Sequence, residues 1–255
     1  YVVLPDLLVP ETVEQIRREL SRLPTSSVDY SQHQRSFSDV QWTDSPAAID
    51  LIAHRPIVGF LEDLFGDEII CTSCSYTCAE PGHPGIALHT DSQPYGSKIF
   101  GMQASAPVLA RVLYYFDDQT PDCSPFKVVP RSHLSMHREG KPYNRYLSHP
   151  EEVMVTCKAC SAVVINQKVF HGNYPNYSDR LRRMLAIAYR PAWAGPIGPV
   201  EDRNPQQVAK LPVHIQPFFG SLKTQAIDFD VPNRPDNMLR EAPGIAPSRW
   251  DIESK

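Results

Sequence analysis

Leu88-His89-Thr90-Asp91 is the stretch on which the reading of this chain turns. On an extended backbone, side chains two residues apart point the same way, so His89 and Asp91 can share one metal ion if this segment is a strand. A third ligand must then come from far along the chain, and His171, after a strand-like run and before Gly172, is the candidate. Two imidazoles and one carboxylate on one face of an octahedron leave open positions for a chelating cosubstrate and O2, the pattern of non-haem iron(II) oxygenases. His-x-Asp alone is a frequent chance match. Its ordinary explanation is a surface histidine beside a turn aspartate.

The surrounding sequence favours the extended reading. After Gly66, the runs 68–78, 98–103, 108–117, 126–129, 153–156, 162–166 and 183–190 are short, apolar or alternating, and separated by Pro, Gly, Asp or Asn. That spacing predicts an antiparallel sandwich or barrel. Before Gly66 the period is helical. From Pro10, a fitting first-turn proline, Val13, Ile16, Leu20 and Leu23 recur on one face, and Ser45-Pro46 opens a second helical region that Pro56 divides. Tyr1 to Leu4 reads as a short extended entry, and 195–255 lacks periodicity and is rich in Pro, Asn and Asp. We therefore expect one domain over 1–255: a helical flank at 1–66, a β core at 67–192 and an irregular wrap at 193–255.

Composition narrows the class. Hydrophobic residues at 42% and charged residues at 21% fit a folded globular chain. The 25 prolines are dispersed, which fits many short strands and rigid turns rather than a linker. A net charge of −4 gives no general affinity for nucleic acid or acidic membranes, and no apolar run reaches the roughly 20 residues of a membrane span. Six cysteines in 255 residues do not make a disulfide scaffold, so reduced thiols and a cytoplasmic location are expected. The chain begins at Tyr1 rather than Met, which leaves room for a targeting segment upstream. Nothing in the sequence sets the oligomeric state.

In His171-Gly-Asn-Tyr-Pro-Asn-Tyr-Ser-Asp-Arg-Leu-Arg182, an arginine stands eleven positions beyond the histidine at the start of a strand. A dicarboxylic cosubstrate needs a fixed bidentate cation at its far end, and a guanidinium supplies one. The chain resembles the phytanoyl-CoA dioxygenase family of Fe(II)/2-oxoglutarate oxygenases through most of 1–191. The landmarks are Tyr-Val-Val-Leu-Pro-Asp-Leu-Leu at the start, Pro81-Gly82, His89-Thr-Asp91, Phe126-Lys-Val-Val-Pro-Arg-Ser-His133 and His171-Gly172, in order. The resemblance implies a double-stranded β-helix (jelly-roll, cupin-like) with flanking N-terminal helices. It implies His89, Asp91 and His171 as ligands of Fe(II), and Arg182 as the partner of the distal 2-oxoglutarate carboxylate. It further implies O2 as oxidant, ascorbate as a stimulant, and hydroxylation of an unactivated C–H bond of a small-molecule substrate with release of succinate and CO2. Related halogenases lack the carboxylate ligand, so Asp91 disfavours halogenation. Ser124, and Arg131 before Ser132-His133, stand where the family usually has glycine.

Arg180 and Arg183 compete with Arg182 for the cosubstrate, and the family spacing favours Arg182; the other two then read as solvated or salt-bridged. Tyr76 alternates onto one face with Cys74 and Cys78, and either hydrogen-bonds cosubstrate or substrate or packs in the core. Cys71-x2-Cys74 and Cys157-x2-Cys160 look like zinc knuckles, but the first pair lies in a β-like run without a tight turn, so thiols are the better reading. His133 and His137 sit four apart and could bind a metal from a helix, but Pro130, Gly140 and Pro142 leave room for only a short helical turn, so turn histidines are the better reading; Lys127, Arg131, Arg138 and Lys141 form either a solvated loop or a face toward an anionic substrate. Arg111, a charge inside an apolar strand, faces substrate, cosubstrate or solvent. Other readings of the same residues are a non-catalytic metal/2-oxoglutarate-binding protein and a zinc hydrolase, for which no general-base motif is evident.

Overall fold

The computed structural model describes residues 1–28, 31–91, 109–134, 147–192, 194 and 204–220. All of them fall in one compact unit, Tyr1–Thr224; a second unit, Gln225–Lys255, lies outside the described residues.

The strands are β1 (Val2–Leu4), β2 (Ser26–Val28), β3 (Ser31–Phe37), β4 (Ile69–Ala79), β5 (Ile86–His89), β6 (Ala110–Tyr115), β7 (Phe126–Val128), β8 (Val153–Val155), β9 (Ala162–Asn166), β10 (His171–Asn173) and β11 (Arg182–Pro191). They form a seven-stranded sheet, β1-β9-β6-β11-β4-β3-β2, and a four-stranded sheet, β5-β10-β7-β8, antiparallel throughout. Of the two architectures the spacing allowed, this is the sandwich; no closed barrel forms among the described residues. The expected run at 98–103 lies outside them. Nothing in the periodicity marks β2 and β3, because Ser31-Gln-His-Gln-Arg-Ser-Phe37 is a mostly polar strand toward the sheet edge.

Strand alternation sends side chains of the larger sheet to two different cores. Val112 and Tyr114 of β6 join the helical side, while Leu113 and Tyr115 join Phe126, Val128, Val163 and Ile165 between the sheets. The helical side is covered by α1 (Pro10–Leu20), α2 (Pro46–Asp50) and α3 (Arg55–Phe65). In α1 Val13, Ile16 and Leu20 of the predicted stripe are buried, while Leu23 lies past the helix end and is half-buried. Each buried side chain contributes roughly 1.5–3 kcal/mol by leaving water. Ser45 caps α2 by accepting from the Ala48 N–H at 3.1 Å. Between α2 and α3 a 3-10 turn, Leu51–Ala53, exposes carbonyls to the sheet, and the buried Tyr189 hydroxyl donates to the Ile52 carbonyl at 3.1 Å. After β11, α4 (Pro205–Val208) and a 3-10 turn at Gln216–Phe219 add Phe218 and Phe219 to the helical-side core.

Cys74, Tyr76 and Cys78 do share a face, but it is the helical one. Tyr76 therefore does not face the inter-sheet space; it lies buried beneath the helices, where desolvation pushes its phenol pKa up. Cys71 belongs to the same face, against the alternation expected for residues three apart. The β4–β11 register runs Ala188↔Ser73 and then Tyr189↔Cys71, so Thr72 is an extra residue, a bulge that turns Cys71 back toward the helices. All six cysteines are thiols.

Candidate metal centre

β5 and β10 are antiparallel neighbours, and His89 and His171 are direct partners in their register. The strands meet closely at Gly172, where a Cβ would lie 2.3 Å from the Ile86 carbonyl oxygen. Only glycine permits that approach, which accounts locally for the His171-Gly172 pair. The register shifts after His171, and the imidazole rings stand 4.4 Å apart between centroids. Asp91 follows β5, and its backbone N–H donates to the Gln167 carbonyl at 2.9 Å, which ties it to the end of β9.

The backbone also fixes which nitrogen of each ring is available. His89 Nδ1 lies 2.8 Å from the Ala87 carbonyl oxygen and His171 Nδ1 lies 3.0 Å from that of Val169. A carbonyl can only accept, so both Nδ1 atoms carry a proton and the Nε2 lone pair is the one left to ligate. Those lone pairs meet the Asp91 carboxylate: Oδ1 is 3.9 Å from His89 Nε2 and Oδ2 is 3.5 Å from His171 Nε2. One ligand atom from each of the three residues lies within 4.8 Å of the others, the one such group of metal-ligand type among the described residues.

Electrostatics favours the binding forms. Burial pulls the His171 pKa down to about 4, helped by His89 and opposed by Asp91, so the ring is neutral at ordinary pH. Burial acts to raise the Asp91 carboxyl, but His171, Arg111 and His89 outweigh it and hold it below its ordinary value. Arg111 is a residue that sequence reasoning left open. It projects from β6 with its Nε 3.2 Å from Asp91 Oδ2.

Arg182, at the start of β11, is wholly buried. It shares the inter-sheet side of its strand with Met184 and Ala186, which join the core between the sheets. Nη2 donates to Ser124 Oγ at 3.4 Å and Nη1 reaches Met184 Sδ at 3.9 Å. Among the described residues no carboxylate pairs with it. Asp117, the nearby acid, receives Arg183 at 2.7 Å and Arg17 at 3.0 Å instead. Arg180 is exposed and donates to Thr120 Oγ1 at 2.6 Å and Asp122 Oδ1 at 3.4 Å. Both competitors are thus engaged elsewhere.

Iron and 2-oxoglutarate fit these residues. A buried guanidinium without a counter-anion is costly unless an anionic ligand supplies one. Around it other buried polar atoms also lack partners: Arg182 Nε, Thr77 Oγ1, Gln34 Oε1 and His83 Nε2. Gln34 and Arg182 lie in one lateral row across the sheet, each opposite Ala79, and Thr77 is opposite Met184 in the next row. His83 is close enough that Arg182, after burial itself, holds its pKa down to about 4. Arg182 would hold the distal carboxylate, and His89, Asp91 and His171 would hold the metal.

No other described residue of metal-ligand type joins this group. His133 sits in a 3-10 turn, Ser132–Leu134, while His137, Arg138 and Lys141 lie outside the described residues. Lys127 stands over the Tyr174 ring at 5.1 Å. No helix among the described residues is long and apolar enough to cross a membrane.

Comparison with known proteins bears on the fold and the family. The fold is similar to HygX from Streptomyces hygroscopicus, solved with nickel, 2-oxoglutarate and hygromycin B bound: TM-score 0.62, 19% identity, 74% of this chain and 82% of that one covered. It is also similar to the non-haem α-ketoglutarate-dependent epimerase SnoN from nogalamycin biosynthesis, at TM-score 0.62, 19% identity, and 80% and 82% coverage. The carbocyclase SnoK of the same biosynthesis gives TM-score 0.61, 20% identity, and 79% and 83% coverage. These likenesses establish the fold. The phytanoyl-CoA dioxygenase (PhyH) description matches residues 1–184. This chain therefore belongs to the phytanoyl-CoA dioxygenase family of iron- and 2-oxoglutarate-dependent oxygenases.

Proposed function

We propose that this oxygenase hydroxylates an unactivated C–H bond of a small molecule, with His89, Asp91 and His171 holding Fe(II) and Arg182 anchoring 2-oxoglutarate. The observation that carries the reading is the buried guanidinium of Arg182, without a carboxylate partner among the described residues, in the interior onto which the three ligand residues open. The bound iron and cosubstrate supply the oxidising chemistry, consuming O2 and giving succinate and CO2. The chain's part is placement. Two carbonyls hold the imidazoles in the ligating tautomer, Asp91 adds negative charge, and the apolar filling between the sheets excludes water.

The small-molecule substrate is supported by analogy: SnoN and HygX were solved with nogalamycin RO and hygromycin B. An epimerase and a carbocyclase stand among the similar folds, so the outcome at the substrate carbon is the part to be measured. The same reading takes 1–255 as a single oxygenase domain. The test is succinate release stimulated by members of a small-molecule panel, with mass analysis of the product. A product heavier by one oxygen supports hydroxylation, and one of unchanged mass or lighter by two hydrogens replaces it with epimerisation or ring closure. Alanine at Arg182 should raise the apparent 2-oxoglutarate constant at least tenfold, while alanine at Arg180 should leave it within about twofold, because losing a buried charged contact costs roughly 2–5 kcal/mol. Equal effects would overturn the anchor. A wild-type protein that binds iron but never turns over 2-oxoglutarate would point to a binding protein.

A further inference from the structure

We infer that Arg111 is a positioning residue for the proposed metal ligand Asp91, its charge drawing the carboxylate so that the side chain stays aimed at the centre. The inference rests on the proposed ligand role of Asp91. Arg111 lies on β6, opposite Ala188 of β11 and Ile165 of β9, and so shares a face with Leu113 and Tyr115 of the inter-sheet core. A guanidinium among such neighbours favours an anion, and Asp91 Oδ2 stands 3.2 Å from its Nε, an ion pair by distance in which neither atom makes a hydrogen bond. The Asp91 side chain is 12% exposed and that of Arg111 29%, so the pair is shielded from much of the solvent screening that weakens surface ion pairs.

Two anchors then define Asp91. Its backbone N–H is fixed on the Gln167 carbonyl, and Gln167 N–H in turn donates to the Leu109 carbonyl at 3.3 Å, just before β6. The Arg111 contact fixes the side chain from the same β6 end. A guanidinium stays protonated and has no lone pair for a metal, so Arg111 cannot act as a fourth ligand; it can only occupy a carboxylate oxygen.

Charge and geometry predict opposite results, which makes the inference testable. A cation near a metal site repels the metal, so by Coulomb's law alone its removal should tighten binding. If Arg111 instead orients the ligand, removal should weaken binding by about 10- to 100-fold, the usual effect of losing a residue that holds a ligand. Co(II) titration of the full-length protein, followed by the visible ligand-field band, reads both affinity and coordination without any turnover. Arg111→Ala should bind Co(II) at least tenfold more weakly and shift the band. Arg111→Lys, which keeps the charge and one donor, should fall between, and it serves as the measurement if the alanine variant does not fold. Unchanged or tighter Co(II) binding in either folded variant would overturn the inference. Wild-type protein whose Co(II) binding is indifferent to His171→Ala would instead overturn the metal centre itself.

Discussion

Arg131 holds φ at 60° and Ser124 at 48°, both in the left-handed region that costs a non-glycine residue roughly 1–2 kcal/mol. These are the two positions where the family usually carries glycine, so the departures legible in the sequence mark real backbone constraints. Ser124 has a compensation, because its hydroxyl donates to the Tyr174 carbonyl at 3.0 Å and accepts from Arg182 at 3.4 Å. Arg131 is exposed. Arg131→Gly should therefore stabilise the protein by up to about 1 kcal/mol, less the added freedom of glycine in the unfolded chain. Thermal melting checks it; a lower melting temperature would mean that the arginine has a partner. The juxtaposition of His89, Asp91 and His171 was legible for a related reason: His89 ends β5, Asp91 follows two residues on, and His171 pairs with His89 in the neighbouring strand. Arg111 was legible only as an anomaly, since the contact to Asp91 joins β6 to the end of β5, a pairing no local pattern encodes.

Asp117, just past β6, joins three elements. It receives Arg17 of α1 at 3.0 Å, and Arg183 of β11 through both the backbone N–H at 2.8 Å and the guanidinium at 2.7 Å. The acid is only 14% exposed. Asp117→Asn removes the charge while keeping the shape, and should cost about 2–3 kcal/mol by weakening these charge-assisted hydrogen bonds. Denaturant unfolding measures it, and a cost below half a kcal/mol would show that α1 docks through Val13, Ile16 and Leu20 alone. Element types followed from period and punctuation: Pro10, Ser45-Pro46 and Pro56 each fall at or next to a helix start. What escaped was the bulge at Thr72, because its cause is the register against β11, more than a hundred residues away.

At the scale of the whole molecule, the polar chamber around Arg182 makes stability depend on pH. His83 is fully buried and its pKa is pulled from 6.5 to about 4, first by burial and then by Arg182. The unfolded chain takes up this proton first as pH falls, so the contribution is fully present above about pH 6.5 and is lost progressively toward pH 4. Its size is on the order of 3 kcal/mol at 1.36 kcal/mol per pKa unit. His83→Gln should flatten the loss of stability between pH 7 and 4.5 by a comparable amount, measured by denaturant melts at both pH values. An unchanged pH slope would mean that His83 is solvated in the folded state.

The two halves of the proposed centre hang from opposite walls of the sandwich. His89 and His171 belong to the four-stranded sheet, Arg182 to the seven-stranded one. Facing sheets pack about 10 Å apart, so the walls behave as the jaws of a caliper whose opening is set by Phe126, Val128, Leu113 and their neighbours. On the proposed roles of Arg182 and the histidines, a bound dicarboxylate would reach from one jaw to the other. The apolar filling would then gauge the length of a molecule it need not touch, and a methylene added to or trimmed from that filling would change which chain length spans the gap.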